Sequence, residues 1–207
     1  MLNSFIHFLV ILLVTLLPIS EAFSDHVPEK ISFDYVQADF TFSTVHVDTT
    51  ADVTEGNGFG FSLSLEINTH LAFTLSVLST TYDTFQERNV DSSKLTDMGI
   101  TAHTLIAPAT EILANLSAVK AEIESYNGVT STRDSDYGSI FHVGLRHRLT
   151  NHIELALGGT NLNVFDHETF SYNLDARYYI RRVFSFGVGY LSSDNADSFQ
   201  FNIRMDI

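Results

Sequence analysis

The 207-residue chain has no cysteine, no tryptophan and only three prolines. Without cysteine there is no disulfide framework, no thiol nucleophile and no attachment point for an N-terminal lipid. Basic residues are scarce: 11 Lys and Arg stand against 25 Asp and Glu, a formal net charge of −14. Phosphate binding along a nucleic acid needs a basic face, so a nucleic-acid partner is not expected. Leu-rich blocks are missing after the first twenty residues, and no later run approaches the ~20 apolar residues of a membrane-spanning helix. What is plentiful is Phe (17) and Tyr (8), with scattered Gly, a composition that suits strands.

The N-terminus reads MLNSFIHFLVILLVTLLPISEAFSDH. Phe5 to Leu17 is apolar, Pro18 ends the run, and Ser20-Glu21-Ala22 places small residues where a signal peptidase reads them. Residues 1–22 are expected to be a cleaved secretory signal, with an uncleaved anchor as the rival reading, and residues 23–207 one domain.

From Val36 onward, apolar residues recur at every second position, the signature of strands with two unlike faces. Phe59, Phe61, Leu63, Leu65 and Ile67 alternate with Gly60, Ser62, Ser64 and Glu66; Phe184, Phe186, Val188 and Tyr190 alternate with Ser185, Gly187 and Gly189. The last strand, SFQFNIRMDI, sets Phe199, Phe201, Ile203, Met205 and Ile207 against Gln200, Asn202, Arg204 and Asp206. Ten such stretches are counted, in an up-and-down series. The phase breaks at Gly158-Gly159, where a bulge would move the apolar set to Leu162 and Val164, and again over Val119 to Ile123. If either break is misread, the count falls to eight.

Connections alternate in length. Asn68 to His70, Ala107 to Thr110, Thr150 to His152 and Arg181-Arg182 are tight; Asp48 to Gly56, Thr80 to Asp97, Ser125 to Asp136, Phe165 to His167 and Ser192 to Asp197 are expected to be longer and polar. Short turns at one end and longer loops at the other is the plan of outer-membrane barrels, with the short turns and both termini in the periplasm. The polar face is rich in Gly, Ser, Thr and Ala, as in GFGFSLS, which suits a crowded interior better than a solvated exterior. Phe33, Tyr35 and Phe184 near the short turns, and Phe59, Tyr137, Tyr190 and Phe199 near the loops, read as two aromatic belts at the bilayer interfaces. The expected fold is therefore all-β: a transmembrane antiparallel up-and-down β-barrel of ten strands.

The stretch DARYYIRRVFSFGVGYLSSDNADSFQFNIRMDI resembles the last hairpins of small outer-membrane β-barrel proteins of Gram-negative bacteria. The resemblance implies a closing strand, here Phe199, Phe201, Ile203, Met205 and Ile207, that is read by the barrel-assembly machinery. Members of that class usually end on Phe or Tyr, whereas this chain ends on Ile207.

Asp39, Glu66, Arg146, Arg148, Glu154, Asp175, Arg177 and Arg204 fall on the predicted inner face. Charges there must be paired, and the expectation is a network of ion pairs that fills the lumen and fixes register. Arg148 is expected opposite Glu154, and Arg204 near Asp39 at the seam. A constricted pore is the alternative. His46-Val47-Asp48 and Asp166-His167 are Asp–His couples able to activate water, but no third residue completes a site, and an enzyme is not expected. No His, Asp or Glu spacing forms a metal site; His142 and His147 fall on opposite faces of a strand. No cofactor is expected. Acidic loops, including Asp97, Asp134, Asp136, Asp194 and Asp197, point to contact with outer-membrane lipid and lipopolysaccharide, and a non-catalytic, structural or surface-interaction role.

Overall fold

In a computed structural model, the described residues are 31–46, 53–82, 90–126, 130–181 and 183–207. They form ten strands: β1 (Tyr35–His46), β2 (Val53–Asn68), β3 (Leu71–Tyr82), β4 (Val90–Ala107), β5 (Thr110–Tyr126), β6 (Ser131–Arg148), β7 (Ile153–Val164), β8 (His167–Arg181), β9 (Phe184–Ser193) and β10 (Ala196–Asp206). Every strand pairs antiparallel with its neighbours in sequence, and β10 returns to β1, so the sheet is a closed barrel without an edge. The seam runs from Tyr35 opposite Asp206 to Val45 opposite Ala196. Residues 1–30, and with them the expected signal segment, lie outside the described residues.

Burial is inverted relative to a water-soluble protein. The buried set is mainly polar and charged, including Asp39, Glu111, Arg146, Arg148, Glu154 and Arg204, whereas Phe40, Phe61, Leu116, Phe141, Val188 and Phe201 are exposed on the outside. A continuous exposed apolar surface of that kind is stable only against an apolar solvent. On β10 the apolar face covers nine residues, Phe199 to Ile207, which matches the roughly 9–11 that a tilted strand needs to cross a bilayer.

The wall is uneven in height. β4, β5 and β6 have 18, 17 and 18 residues, against 10 in β9 and 11 in β10. At about 3.3 Å per residue, seven extra residues raise that side by roughly 20 Å. Part of what reads as long loops is this wall: β3 continues to Tyr82 before β4 begins at Val90, and β5 to Tyr126 before β6 begins at Ser131. β2 likewise begins at Val53, inside the expected Asp48 to Gly56 loop. The connections at Phe165 to His167 and Ser192 to Asp197 are two-residue turns, Phe165-Asp166 and Asp194-Asn195, and not long loops.

Gly158-Gly159 does not form a bulge. β7 keeps continuous register with β6 and β8 through both residues. Leu162 and Val164 therefore stay on the inner face, while Asn161 and Asn163 share the outer face with Leu157. The register shifts lie elsewhere, at Glu66/Asn68, Val90/Ser92, Leu105/Ala107 and Tyr179/Arg181; three of the four adjoin short turns.

The Phe165-Asp166 turn has positive φ at both residues, 54° and 57°, as a two-residue hairpin requires. Phe is a poor fit to that conformation. The Asp136 carboxylate accepts a 2.6 Å bond from the Phe165 backbone N–H, and the Asn163 carbonyl lies 1.8 Å from where a Cβ on Gly138 would sit. Gly138→Ala is expected to force the turn away from β6 and cost about 1–3 kcal/mol. Denaturant unfolding in detergent checks it; an unchanged midpoint would refute the close approach.

Candidate functional site

The interior is built from positions that alternate inward by strand geometry. Glu154 on β7 is its centre. Arg146 on β6 donates to Glu154 Oε1 twice, from Nε at 3.0 Å and from an Nη at 2.9 Å, and the Tyr179 hydroxyl on β8 donates to Oε2 at 3.0 Å. Arg148 is directly opposite Glu154 in register but its guanidinium is 3.7 Å away, lying instead 4.4 Å above the Tyr179 ring. The two-bond partner is thus Arg146, two residues from the expected one: the register pair sets backbone proximity, and the long side chain reaches diagonally.

The other sequence-predicted inner charges divide as follows. Arg204 pairs with Asp206 at 2.6 Å and stacks 3.9 Å over Tyr35; it does not meet Asp39. Asp39 is opposite Asn202 at the seam and takes its bonds from Gln37 (2.7 Å) and Ser62 (3.4 Å), because Arg204 sits one inward position lower, opposite Gln37. Arg177 donates to Gln37 at 2.8 Å and Ser185 at 3.2 Å, and Asp175 accepts from Asn173 at 2.7 Å. Glu66 lies on the inner face near the short-turn end, its backbone N–H bonded to the Asp34 carboxylate. Asp97, read as part of an acidic loop, is an inner-face residue hydrogen-bonded to Ser76.

The segment before β1 crosses the short-turn end of the barrel. Ile31 is 2% and Phe33 4% exposed. Phe33 stacks on His103 of β4 at 3.7 Å and lies under Arg146 at 4.9 Å. The Ser32 carbonyl accepts from Arg204 on β10 at 2.6 Å and from Arg146 on β6 at 3.5 Å, and the Asp34 carbonyl from the Ile207 backbone N–H at 3.0 Å. This strap crosses the base, tied to β4, β6 and β10. Phe33 and Tyr35 are accordingly interior groups and not members of an interfacial belt; Phe184, Phe59, Tyr137, Tyr190 and Phe199 do lie on the outer face. Above the strap is a cavity of about 320 Å³ lined by Gln37, Ser62, Asp97, His142, Arg177 and Asn202 among others.

Sequence reasoning missed the strap, His103, Glu111 and Tyr179. Parity alone places the last three inward. Nothing in period-2 counting marks Ile31-Ser32-Phe33 as interior, because the segment is not a strand.

Phe199, Phe201, Ile203, Met205 and Ile207 all face outward and are exposed, with Asn202 and Arg204 buried between them. Of the two Asp–His couples, Asp166 occupies the tight turn and His167 opens β8, both exposed. Val47 and Asp48 lie outside the described residues, as do the side chain of His46 and the acidic residues Asp52, Asp83 and Glu87. Among the described residues, no group of His, Asp and Glu could hold a metal ion, and His142 and His147 do point to opposite sides.

On the outer face, the apolar band ends abruptly on the tall wall. Met98 gives way to Thr96 and Lys94 on β4, Ala118 to Lys120 and Glu122 on β5, and Phe141 to Ser139, Tyr137, Ser135 and Arg133 on β6. Glu122 joins two of these cations: Lys120 at 2.9 Å and Arg133 at 2.8 Å, both on Oε1. The Lys120 hydrogen bond holds the Glu122 carboxyl below its ordinary range, and the same bond raises Lys120, so both are charged at neutral pH.

A closed antiparallel barrel with an apolar exterior and a polar, ion-paired interior defines a transmembrane β-barrel. The chain belongs to the outer membrane protein beta-barrel domain family, whose model matches residues 9–203, and its place is the bacterial outer membrane, in contact with membrane lipid. Among solved structures, it is similar to the outer membrane protease OmpT from Escherichia coli, at 9% identity over 86% of this chain and 99% of that one, with a TM-score of 0.49. It is also similar to the N-terminal beta-barrel domain of Pseudomonas aeruginosa OprF (10% identity, 83% and 96% covered, TM-score 0.45). For Neisserial surface protein A the values are 17% identity, 86% and 100% covered, and a TM-score of 0.40. No curated protein matches this chain.

Proposed function

We propose that this is a non-catalytic outer-membrane barrel whose lumen is closed by its own N-terminal strap, and which acts through the surfaces and connections at the opposite end. In this reading the short turns and both termini are periplasmic, the tall β4–β5–β6 wall faces outward from the cell, and β10 is the strand handed to the barrel-assembly machinery. The observation that carries it is the strap: Ser32 is gripped by arginines from β6 and β10, and Phe33 is wedged against His103. Buried groups held by charge-assisted hydrogen bonds do not leave without a large penalty.

A narrow channel is the second reading, favoured by the 320 Å³ cavity above the strap. Planar-bilayer recording of the full chain separates the two. The expected result is silence from the wild type, and conductance steps from a variant carrying Ile31→Ala and Phe33→Ala, which removes the strap's two buried side chains and the Phe33 stack on His103. Steady ohmic steps from the wild type would overturn the closed-lumen reading.

A further inference from the structure

The chain is short of cations, yet three of them share one small area. Lys94, Lys120 and Arg133 all project from the outer face of β4, β5 and β6. Register places Lys94 beside Glu122, and Arg133 beside Glu124. Among the described residues the other arginines whose side chains are placed, Arg146, Arg148, Arg177 and Arg204, are all in the lumen. At the corresponding position just beyond the apolar band, other strands present acids: Glu55 on β2, Glu168 on β8 and Asp197 on β10. Here three cations stand beside two acids, Glu122 and Glu124.

Height on the wall decides what the patch meets. Lys120 is one outward position above Ala118, Lys94 two above Met98, and Arg133 four above Phe141, its side chain reaching to Glu122; Met98 is 58% and Phe141 51% exposed to the apolar phase. Tyr137 is 75% exposed at the boundary, an aromatic with a polar tip where interfacial anchors sit, and Lys120 Nζ lies 6.0 Å from its ring centre. Lys120, one outward position above that edge, is level with lipid phosphates, and the Arg133 guanidinium is drawn toward it by their shared contact with Glu122. Glu122 uses one carboxylate oxygen to hold Lys120 and Arg133 together, which preorders two cations for a divalent oxyanion while leaving most of the Arg133 side chain, 65% exposed, accessible.

We infer that the outer face of β4–β5–β6 is a binding site for the phosphorylated headgroup of an outer-leaflet lipid of the lipid A type, with Lys94, Lys120 and Arg133 on the phosphates, Tyr137 at the sugar level and Met98 and Phe141 along the acyl chains. The outer-leaflet assignment rests on the orientation proposed above; the phosphate site does not.

The test uses the full chain in neutral detergent, titrated with diphosphoryl lipid A and followed by native mass spectrometry. Heat-modifiable gel migration confirms that each variant is folded. Replacing Lys94, Lys120 and Arg133 together with Ala is expected to weaken binding about 10-fold to 100-fold, and Glu122→Gln to tighten it, since a competing carboxylate charge is removed. Dephosphorylated lipid A is expected to bind the wild type as weakly as the triple variant binds the phosphorylated form. Equal retention by the triple variant, or equal binding of the dephosphorylated lipid, overturns the site. Inorganic phosphate binding as tightly as the lipid overturns the lipid assignment. Orientation is read separately: Thr132→Cys gives a chain with one thiol, which is expected to react with an impermeant maleimide on intact cells. If it does not, while lipid binding in detergent persists, the phosphate site stands and the outer-leaflet assignment falls.

Discussion

Glu154→Ala is expected to lower the unfolding free energy by about 3–5 kcal/mol, the cost of leaving buried cations without their anion. Glu154 is 3% exposed and serves two Arg146 bonds, the Tyr179 hydroxyl and the neighbouring Arg148. Its removal strands Arg146, and Arg146 is also one of the two groups that grip Ser32. The effect therefore spreads to the strap. Arg148→Ala is expected to cost less, because its guanidinium is 3.7 Å from the carboxylate and rests on an aromatic face. Replacing Arg146 and Glu154 together by Met and Leu is expected to recover most of the loss, since the penalty comes from an unpaired charge and not from the pair's own worth. Urea titration of folded barrel in detergent, read by the fraction that resists unfolding on a gel, measures all three. A Glu154→Ala midpoint equal to wild type would show that the lumen network is solvated enough to ignore the missing anion.

Ile203→Arg is expected to cost about 2–4 kcal/mol, the penalty for a guanidinium at the bilayer midplane. Ile203 is the middle of the five apolar outward residues from Phe199 to Ile207 and is 39% exposed to the apolar phase. The same substitution at Phe199, next to the boundary far from the short turns, is expected to cost no more than about 1 kcal/mol, because depth sets the penalty. Reversible unfolding into vesicles of neutral phosphatidylcholine supplies the comparison. Equal costs at the two positions would contradict the placement of the hydrocarbon core.

The strands were legible because period-2 alternation is a direct consequence of strand geometry and both faces here have strong, opposite demands. All ten elements are found where the alternation falls. The misread places share one physical cause. Over Val119 to Ile123 the apolar residues move from the outer to the inner face without any change in register, because β5 leaves the bilayer at Lys120. Outside the membrane the exterior is wet and the interior, lined by Val119 and Ala121 at 2% and 4% exposure, is dry. Asn161 and Asn163 on β7 tell the same story. A reversal of hydropathy reads as a slip of one residue, yet it marks the edge of the solvent. The lumen site was half legible: parity finds its charged residues, but which carboxylate an arginine meets depends on side-chain length and on diagonal reach across strands, as Arg146 shows. The strap was not legible at all, since its meaning comes from three strands distant in sequence.

The seam and the strap together constrain when this protein can become itself. Tyr35 is paired with Ser64 on one side but with Asp206 on the other, and Ser32 is clamped by Arg204 of the final strand. Asp34 is tied to the last residue, Ile207. The strap and the free side of β1 thus wait for β10 to be made, and neither edge of the nascent sheet is satisfied before then. Closing the wall and fastening the strap both depend on the same last strand, β10. A chain stopped before Ala196 would keep two open strand edges and a loose strap, a species with every incentive to aggregate and nothing to hold it in a membrane.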